Sequence, residues 1–557
     1  MKKEILIILV LLTSLISMHA ANLTSPPISI VPRPAQVVPG EGNFTFSSQT
    51  LFSVENHEQA VIVRNFINLL KRSSGITSQL AIGGSEKSHV CFTIDSSLKS
   101  EAYQLAVTPE QIQVKASDIK GFFYALQTIR LLLPSAVEGN QQAKNIRWSI
   151  PAVTIQDEPR FGYRALMLDA ARFFIPKENV LRIIDCMGML KINTLHFHLT
   201  DDNGWRLEIK KYPRLTEVGA WRVNRMDVPF YFCRNAEPGE PTPIGGFYTQ
   251  EDIKEMVSYA ADRQIEIIPE IDMPAHSNAA LAAYPQLACP VVDSYIGVIP
   301  GLGGSNSGVI YCAGNDSAFT FLQDVLDEVM AIFPSRYIHL GGDEAPKGNW
   351  DTCPDCGQCI KEHGLKDSHD LQLWFSAQMA NYLKNKGRKA IFWGDVIYQN
   401  GYALPDNVVI HWWNWRGHKD TAFKEALKRN LPVICGTNYY TYLNFPVTPW
   451  KGYEAARTFD IKDVYTANPS YRKEDSPLLL GMSCALWTDY GVTENMIDRR
   501  LFPRILAIVE QMWSRSEPES FELFYQKVKD KKEWFEKQGY MFGPGLKSEV
   551  TDDFSWD

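Results

Sequence analysis

The sequence contains only one long hydrophobic run, and that run lies at its N-terminus. It extends from Ile5 to about Ile16, follows two lysines and precedes small residues near Ala20, which is the pattern of a secretory signal peptide. The run is too short to span a bilayer, no later stretch is long enough, and no cysteine follows closely enough to support a bacterial lipoprotein anchor. We therefore expect residues 1–21 to be a cleaved signal peptide, with an uncleaved anchor as the alternative. The exported protein is then periplasmic or extracellular, without a membrane span.

An excess of basic charge is also missing. The 557 residues include 56 Lys and Arg against 64 Asp and Glu, which gives a formal net charge of −8. Because a nucleic-acid surface needs a clustered basic face, no nucleic-acid partner is expected. No low-complexity segment or short repeat is visible. The length predicts about two to four domains.

Cysteine is sparse, with 10 in the chain, but three of them form a Cys-x2-Cys-x2-Cys cluster at Cys353, Cys356 and Cys359. A metal or iron–sulfur site is one interpretation of this spacing. No fourth ligand is evident nearby, and export to an oxidising compartment disfavours free thiolates. We therefore expect disulfides inside one loop and neither a metal nor a cofactor. Cys289 and Cys312 flank a glycine-rich stretch that a disulfide could close, but connectivity does not follow from sequence.

Two regions with different patterns follow the signal segment. Residues 22–158 show short alternating strands at 89–95 and 102–107 and an amphipathic helix at 119–133, which is typical of a small α+β domain. Residues 159–516 instead alternate apolar strands with helices. The chain ends, over residues 517–557, in a predicted helix near 518–538 and a polar tail.

The alternation in the second region predicts an α/β fold, a (β/α)8 TIM barrel with long loop insertions. An open, doubly wound sheet is the alternative, although no G-x-G-x-x-G sequence follows the first strand. The expected strands are 163–169, 194–200, 265–272, 337–342, 389–395, 408–413, 432–437 and 478–486, and the expected helices are 177–191, 250–263, 317–332, 368–386, 420–429 and 497–514.

Chemistry in such a barrel is expected at the carboxyl ends of the strands, where acids, histidines and many of the 14 Trp and 23 Tyr residues converge. Asp343 and Glu344 are the leading candidates, because they follow the apolar strand YIHL and two glycines. A tight turn there directs both carboxylates into one pocket, and two close carboxylates cannot both ionise freely, so one keeps its proton. The alternative is a pair that caps the next helix.

His196 and His198 alternate along one strand, so they face the same side. With Asp201 nearby, a two-histidine metal site is one interpretation. Histidines bonded to carboxylates inside the barrel are the alternative, and we favour it.

Five segments in this order, YRALMLDAARFF, LHFHLTDDNGWRLEI, IIPEIDMPAHS, YIHLGGDEA and ALWTDYG, resemble the signature segments of glycoside hydrolase family 20. The resemblance covers roughly residues 160–515, and the preceding region resembles the family's usual N-terminal domain. It implies an exo-acting, retaining β-N-acetylhexosaminidase that cleaves terminal N-acetylhexosamine from an oligosaccharide or glycoconjugate. The family uses the substrate's own 2-acetamido group as the nucleophile and forms an oxazolinium ion, an exception to the two-carboxylate scheme.

The resemblance also implies roles for single residues. Glu344 matches the general acid and base, Asp343 the carboxylate that orients and stabilises the acetamide, and Tyr442 the hydroxyl that holds the acetamide oxygen. The other positions carried over are Trp393, Trp487 and either Trp412 or Trp413 as aromatic walls, Arg164 as the group that grips the C3 and C4 hydroxyls, Asp201 or Asp202 with His276 as the pair that tunes the acid, and His339 as a support of the catalytic turn.

Two positions depart from the family pattern. The usual Tyr-Leu-Asp ends here in Asn444, and the usual Trp-x-Glu ends in Asp489. Both acids normally meet the C4 and C6 hydroxyls. Less negative charge there predicts tolerance of, or preference for, 6-O-sulfated N-acetylglucosamine of mucin or keratan-type glycans, and unchanged specificity is the alternative.

Two other functions compete with this interpretation. A carbohydrate-binding protein that has lost catalysis is disfavoured, because Asp343, Glu344 and Tyr442 are all present. A barrel hydrolase with a covalent intermediate needs a second acid roughly 5 Å from the first, for which Glu270 is the candidate. The sequence does not predict the oligomeric state.

Overall fold

The computed structural model describes residues 28–85, 87–228, 233–301, 308–449, 457–467, 476–489, 494–515 and 517–554. The expected signal peptide, residues 1–21, lies outside the described residues. No helix within the described ranges combines the length and the apolar character that crossing a membrane requires.

The first region is a mixed sheet of seven strands, with the spatial order β1-β7-β5-β6-β4-β2-β3. Helix α1 (His57–Ser74) packs on β2 and β3, and helix α2 (Ile119–Leu132) packs on β5, β6 and β7. The expected strands at 89–95 and 102–107 and the helix at 119–133 are therefore present. The strands are β1 Gln36–Thr45, β2 Leu51–Val54, β3 Gln79–Ile82, β4 Val90–Ile94, β5 Tyr103–Val107, β6 Ile112–Ala116 and β7 Ser149–Asp157.

The second region is a closed barrel of eight parallel strands, in which the last strand pairs with the first. All eight expected strands are present, so the predicted barrel is confirmed. Each strand is an almost fully buried run, because helices cover its outer face and side chains fill the interior. The strands are β8 Tyr163–Asp169, β9 Thr194–His198, β10 Glu266–Glu270, β11 Tyr337–His339, β12 Lys389–Trp393, β13 Val408–Trp412, β14 Val433–Cys435 and β15 Leu479–Leu486.

Helices surround the barrel close to the predicted positions. The expected helix 497–514 is divided into two at Phe502 and Pro503, because proline has no N–H for the helical ladder. The helices are α3 Lys177–Met189, α4 Gln250–Ala261, α5 Asp316–Ile332, α6 Ser368–Asn385, α7 Thr421–Lys428, α8 Glu494–Leu501, α9 Arg504–Trp513 and, after the barrel, α10 Phe521–Glu536.

The sheet region docks against the amino-terminal end of the barrel through buried polar contacts. Lys191 Nζ lies 2.9 Å from Asp157 Oδ2, and both side chains are completely buried. The indole N–H of Trp513 donates to the same carboxylate at 3.0 Å. This docking leaves the carboxyl ends of the barrel strands as the open face, where a site can form.

Candidate active site

A strained turn after β11 carries the two adjacent carboxylates. Gly341 and Gly342 have φ of +64° and +94°, and a Cβ on Gly341 would lie 1.6 Å from Asp272 Oδ1. The Gly341 N–H donates to His339 Nδ1 at 3.1 Å, so His339 supports the turn. Glu344 itself has φ of +49°, a conformation that costs a non-glycine residue on the order of 1 kcal/mol. The conformation of the turn places the Glu344 side chain at the rim of the barrel.

The two carboxylates have different environments. Asp343 Oδ1 is buried and finds no hydrogen-bond donor among the residues that the structure describes. Glu344 is 53% exposed, yet the surrounding pocket walls desolvate its carboxyl group. That burial raises the pKa of Glu344; the charge of Asp343 raises it further, and His276 opposes the shift. Glu344 is therefore suited to hold a proton, and the neighbouring Asp343 presents Oδ1 as an acceptor that no described residue occupies.

A chain of hydrogen bonds, continued by ion-pair contacts of His276, leads from the barrel interior to this pair. The carboxylate of Glu270 on β10 is bound by His196 Nε2 at 2.9 Å and by His198 Nδ1. The other ring nitrogen of His198 lies 2.8 Å from Asp201 Oδ2. Asp201 Oδ1 then lies 3.3 Å from His276 Nδ1. The two strand histidines are thus bonded to carboxylates, as favoured above.

His276 completes the chain at the pocket. Its Nε2 lies 3.5 Å from Asp343 Oδ2, and Asp202 Oδ2 lies 3.5 Å from its Nδ1. Burial disfavours the charged ring, but the carboxylates of Asp201 and Asp343 outweigh burial and raise the pKa of His276 well above its usual range. Asp201 and Asp202 were the two carboxylates expected to pair with His276, and Asp201 is the nearer to its Nδ1.

Aromatic rings form the walls of a small cavity, with a volume of about 160 Å³. The Trp393 indole N–H donates to Glu270 at 2.8 Å, and the rings of Trp413 and Tyr442 stack at 6.3 Å between centroids. The ring centroid of Trp487 lies 6.0 Å from those of both Trp393 and Tyr442. The lining residues are Arg172, His276, Asp343, Glu344, Trp393, Trp413, Tyr442, Asn444, Phe445, Arg457, Trp487 and Asp489.

Trp412, one of the two tryptophans proposed for the same wall, is not part of the cavity. It is fully buried on the outer side of β13, where its indole N–H donates to Lys419 O at 2.7 Å and its ring packs on Phe423 of α7. Neighbouring strand residues point to opposite faces, so Trp413 faces the cavity. The Trp413 indole donates to Asp395 Oδ2 at 2.6 Å.

The expectation that Arg164 grips the substrate is wrong. Arg164 is the second residue of β8 and lies at the amino-terminal end of the barrel, where its guanidinium binds Glu101 at 2.7 Å and Tyr124 at 2.9 Å. It holds the sheet region to the barrel. Two other arginines, Arg172 and Arg457, line the cavity, and Arg172 is the one that follows the carboxyl end of the same strand.

Arg172 has the contacts expected of a fixed cation in a binding pocket. Its guanidinium lies 3.2 Å from Asp169 and 2.9 Å from Asp201, and it covers the ring of Trp487 at 4.7 Å. Burial disfavours its charge, but the two carboxylates outweigh burial and raise its pKa. It is the group placed to meet hydroxyls of a bound sugar.

Replacing Arg172 by Lys tests this correction. We expect kcat/KM for a nitrophenyl N-acetylglucosaminide to fall about 10²-fold, because lysine cannot reproduce the planar, forked donors of arginine. Arg164→Lys is the comparison: we expect it to lower the thermal midpoint while kcat/KM of the folded enzyme stays within about threefold of wild type. The reverse pattern would restore Arg164 to the binding site.

The end of the cavity formed by Asn444 and Asp489 differs in charge from the rest. Asn444 Nδ2 donates to Asp489 Oδ1 at 3.3 Å, and burial raises the pKa of Asp489 to about 6, although the charges of Arg172 and Arg500 oppose the shift. Arg457 also lines the cavity, and its guanidinium lies 4.9 Å from the ring centroid of Phe445, the residue that follows Asn444. This end therefore carries a weakly acidic aspartate, a neutral amide and a cation.

Three residues of the site were missing from the sequence-based assignments. Arg172 stands in the quoted segment YRALMLDAARFF, and its place after the strand was an available signal. Asp395, which binds both Trp413 and the Glu344 N–H, follows β12 in the same way; burial and then the charge of Asp343 raise its pKa to about 7. Arg457 lies in a long insertion, so no local pattern indicated it.

The chain matches one family along almost its whole length. The family model described as "Glycosyl hydrolase family 20, catalytic domain" matches residues 161–516, and the model described as "Glycosyl hydrolase family 20, domain 2" matches residues 27–158. A β-hexosaminidase of Porphyromonas gingivalis is 35% identical over 508 residues, which cover 90% of this chain and 62% of that protein, so the chain spans less than two thirds of this relative. A β-hexosaminidase of Akkermansia muciniphila is 32% identical, over 79% of this chain and 85% of that protein.

Solved structures of two bacterial enzymes are similar to this chain over most of its length. The β-N-acetylhexosaminidase of Bacteroides fragilis is 50% identical, with a TM-score of 0.83 over 95% of this chain and 99% of that one. The exo-β-N-acetylglucosaminidase of Vibrio harveyi, solved with N-acetylglucosamine, is 27% identical, with a TM-score of 0.81 over 94% of this chain and 79% of that one. The chain therefore belongs to glycosyl hydrolase family 20, the family whose signature segments its motifs resemble.

Proposed function

We propose that the protein removes terminal β-linked N-acetylhexosamine from glycans, with retention of configuration, and that the substrate's acetamide is the nucleophile. The observation that carries this proposal is the buried Asp343 Oδ1, which lacks a donor among the described residues. The cavity holds about 160 Å³, below the roughly 300–1,000 Å³ of common ligand pockets. A pocket of this small volume suits one terminal sugar, and hence exo-action.

In the first step, the acetamide oxygen attacks C1 and the bond from C1 to the leaving oxygen breaks. Asp343 accepts the acetamide N–H, and Tyr442 donates its hydroxyl to the acetamide oxygen. Burial, and then the charge of Asp343, raise the pKa of Tyr442, so this hydroxyl stays a donor. Glu344 gives its proton to the leaving oxygen. The oxazolinium carries positive charge, which the fixed carboxylate stabilises more than it stabilises the ground state.

In the second step, water attacks C1 from the side that the leaving group vacated. Glu344, now ionised, takes a proton from this water, and the C1–O bond of the oxazolinium breaks to restore the acetamide. Two inversions at C1 give net retention. The aromatic walls at Trp393, Trp413 and Trp487 keep the acetamide in line with C1, which supplies a high effective molarity.

We further propose that the pocket accepts N-acetylglucosamine with a 6-O-sulfate. The family resemblance assigns Asn444 and Asp489 to the C4 and C6 side of the sugar. Arg457 supplies a cation at that end of the cavity, and the pKa of Asp489, about 6, makes its negative charge easy to remove. A sulfate group would meet less repulsion there than in a pocket with two fully ionised acids.

A panel of plain and 6-O-sulfated nitrophenyl N-acetylglucosaminides tests both proposals. We expect both to be hydrolysed, with the sulfated-to-plain ratio of kcat/KM rising as the pH falls through about 6, because Asp489 then becomes neutral. Asn444→Asp should lower the ratio about tenfold through like-charge repulsion, and Arg457→Ala should lower it too.

The matched control is Arg147→Ala, an exposed arginine of the sheet region, which should leave the ratio unchanged. If neither Asn444→Asp nor Arg457→Ala moved the ratio, the sulfate proposal would fail while the plain activity stood. If neither glycoside were hydrolysed, the hexosaminidase proposal itself would fail. Export, expected from residues 1–21, stays a prediction.

A further inference from the structure

Four buried cysteines from two loops meet on the catalytic face of the barrel, outside the sugar pocket. Cys289 and Cys312 belong to the loop between β10 and α5, and Cys353 and Cys356 to the loop between β11 and α6. Their sulfur atoms all lie within 4.8 Å of one another. Two of the four candidate ligands therefore come from a distant part of the chain, and Cys359, the third cysteine of the Cys-x2-Cys-x2-Cys motif, is not one of the four.

The distances between the sulfur atoms are those of a metal site. Cys289 and Cys356 are 3.8 Å apart, Cys312 and Cys353 are 3.8 Å apart, and Cys312 and Cys356 are 3.7 Å apart. Zinc bound to four thiolates has Zn–S bonds of about 2.3 Å, so the edges of its tetrahedron are about 3.8 Å. A disulfide brings two sulfur atoms to about 2.05 Å. These four residues are thiols, as is Cys359, so the expectation of disulfides within this loop is wrong.

The backbone around the cluster is shaped for this arrangement. Cys353 and Cys356 stand at the N-terminus of the helix Pro354–Glu362, where backbone N–H groups favour negative charge. Gly314 packs on this turn so closely that a Cβ would lie 2.3 Å from Asp355 C, and its backbone hydrogen-bonds to the Cys356 sulfur. Such N–H contacts to sulfur are typical of the surroundings of metal thiolates.

We propose that Cys289, Cys312, Cys353 and Cys356 bind one structural Zn²⁺. On binding, the four thiols release their protons to solvent and four Zn–S bonds form, with no change of oxidation state. No open ligand position remains, which is the pattern of structural zinc. The ion ties the loop that carries Asp343 and Glu344 to the preceding loop, alongside the Trp350 indole, which donates to Tyr311 O at 2.9 Å. None of these cysteines lines the sugar cavity, so the proposed role of the ion is structural.

Metal analysis of the full chain, purified without chelator or reductant, tests the proposal. We expect about one zinc per chain by mass spectrometry, and its release on titration with an organomercurial. Cys356→Ser should abolish zinc binding, whereas Cys359→Ser, which removes the third cysteine of the motif but no proposed ligand, should retain it. Removing zinc should lower the thermal midpoint by about 5 °C or more.

Wild-type protein alone also decides the question if the serine variant fails to fold. After denaturation in chelator, all four cluster cysteines should react with an alkylating agent, and the intact mass should match the fully reduced chain. A mass about 4 Da lower, with four fewer alkylated thiols, would show two disulfides and overturn the proposal. Four free thiols without metal, or iron in place of zinc, would overturn it as well.

Discussion

Replacing Glu344 by Gln is expected to lower kcat/KM by about 10³ for a glycoside with a poor leaving group, because the amide has no proton to give the departing oxygen. The loss should shrink markedly for a 2,4-dinitrophenyl glycoside, whose leaving oxygen needs no proton. Comparing the two substrates therefore separates loss of acid catalysis from general damage to the site.

The pH profile gives a second measure of the same residue. Glu344 must be protonated to act as an acid, and the pocket raises its pKa, so the active form persists to higher pH than for an ordinary glutamic acid. In wild type, kcat/KM should fall as the pH rises through this raised pKa, and Glu344→Gln should lose that limb. Glu328→Gln, in an Asp-Glu pair on helix α5, is the matched control and should leave the profile unchanged. An unaltered alkaline limb in Glu344→Gln would assign the acid to another residue.

Replacing Asp343 by Asn is expected to lower kcat by about 10²–10³ while KM changes less than tenfold. The variant keeps the shape of the side chain but removes the charge proposed to stabilise the oxazolinium, and its amide can point a donor at the acetamide N–H. Loss of one preorganised group at a developing charge has a cost of this size, about 3–4 kcal/mol. The measurement is kcat and KM for the plain nitrophenyl substrate.

Asp327→Asn is the control for this variant, since Asp327 is the exposed acid of the other pair and contacts Lys386 on the surface. It should retain wild-type kinetics. A fall in kcat/KM caused only by a higher KM for Asp343→Asn would mean that Asp343 binds substrate and transition state equally, which contradicts its proposed role.

The barrel was predictable because its signal is repeated. Eight short apolar runs alternate with amphipathic helices, and each strand is a buried segment such as β8, whose seven residues are all buried. The positions of Asp343 and Glu344 followed from the same pattern, since two glycines directly after a strand permit the left-handed turn that the structure contains. Local pattern and topology together were sufficient for these features.

Other features depend on information that a local pattern does not contain. Arg164 lies near the start of β8 and Arg172 just after its end. The sugar-binding role was assigned to Arg164, although strand direction places that residue at the amino-terminal end of the barrel, where it binds Glu101. The choice between Trp412 and Trp413 required the register of β13, which decides the face of each residue. The cysteine cluster joins residues 289 and 312 to residues 353 and 356, and such long-range closure leaves no periodic signal in the sequence.

In the proposed mechanism the substrate's acetamide, held by Asp343, is the nucleophile. The most direct test is kcat for nitrophenyl glucosaminides that carry N-acetyl, N-fluoroacetyl, N-difluoroacetyl and N-trifluoroacetyl groups, in which each fluorine makes the carbonyl oxygen a weaker nucleophile. An acetamide that attacks C1 predicts that kcat falls at every step, by about 10²-fold or more across the series. A rate that is independent of fluorination would contradict the account, because it would mean that another group attacks C1.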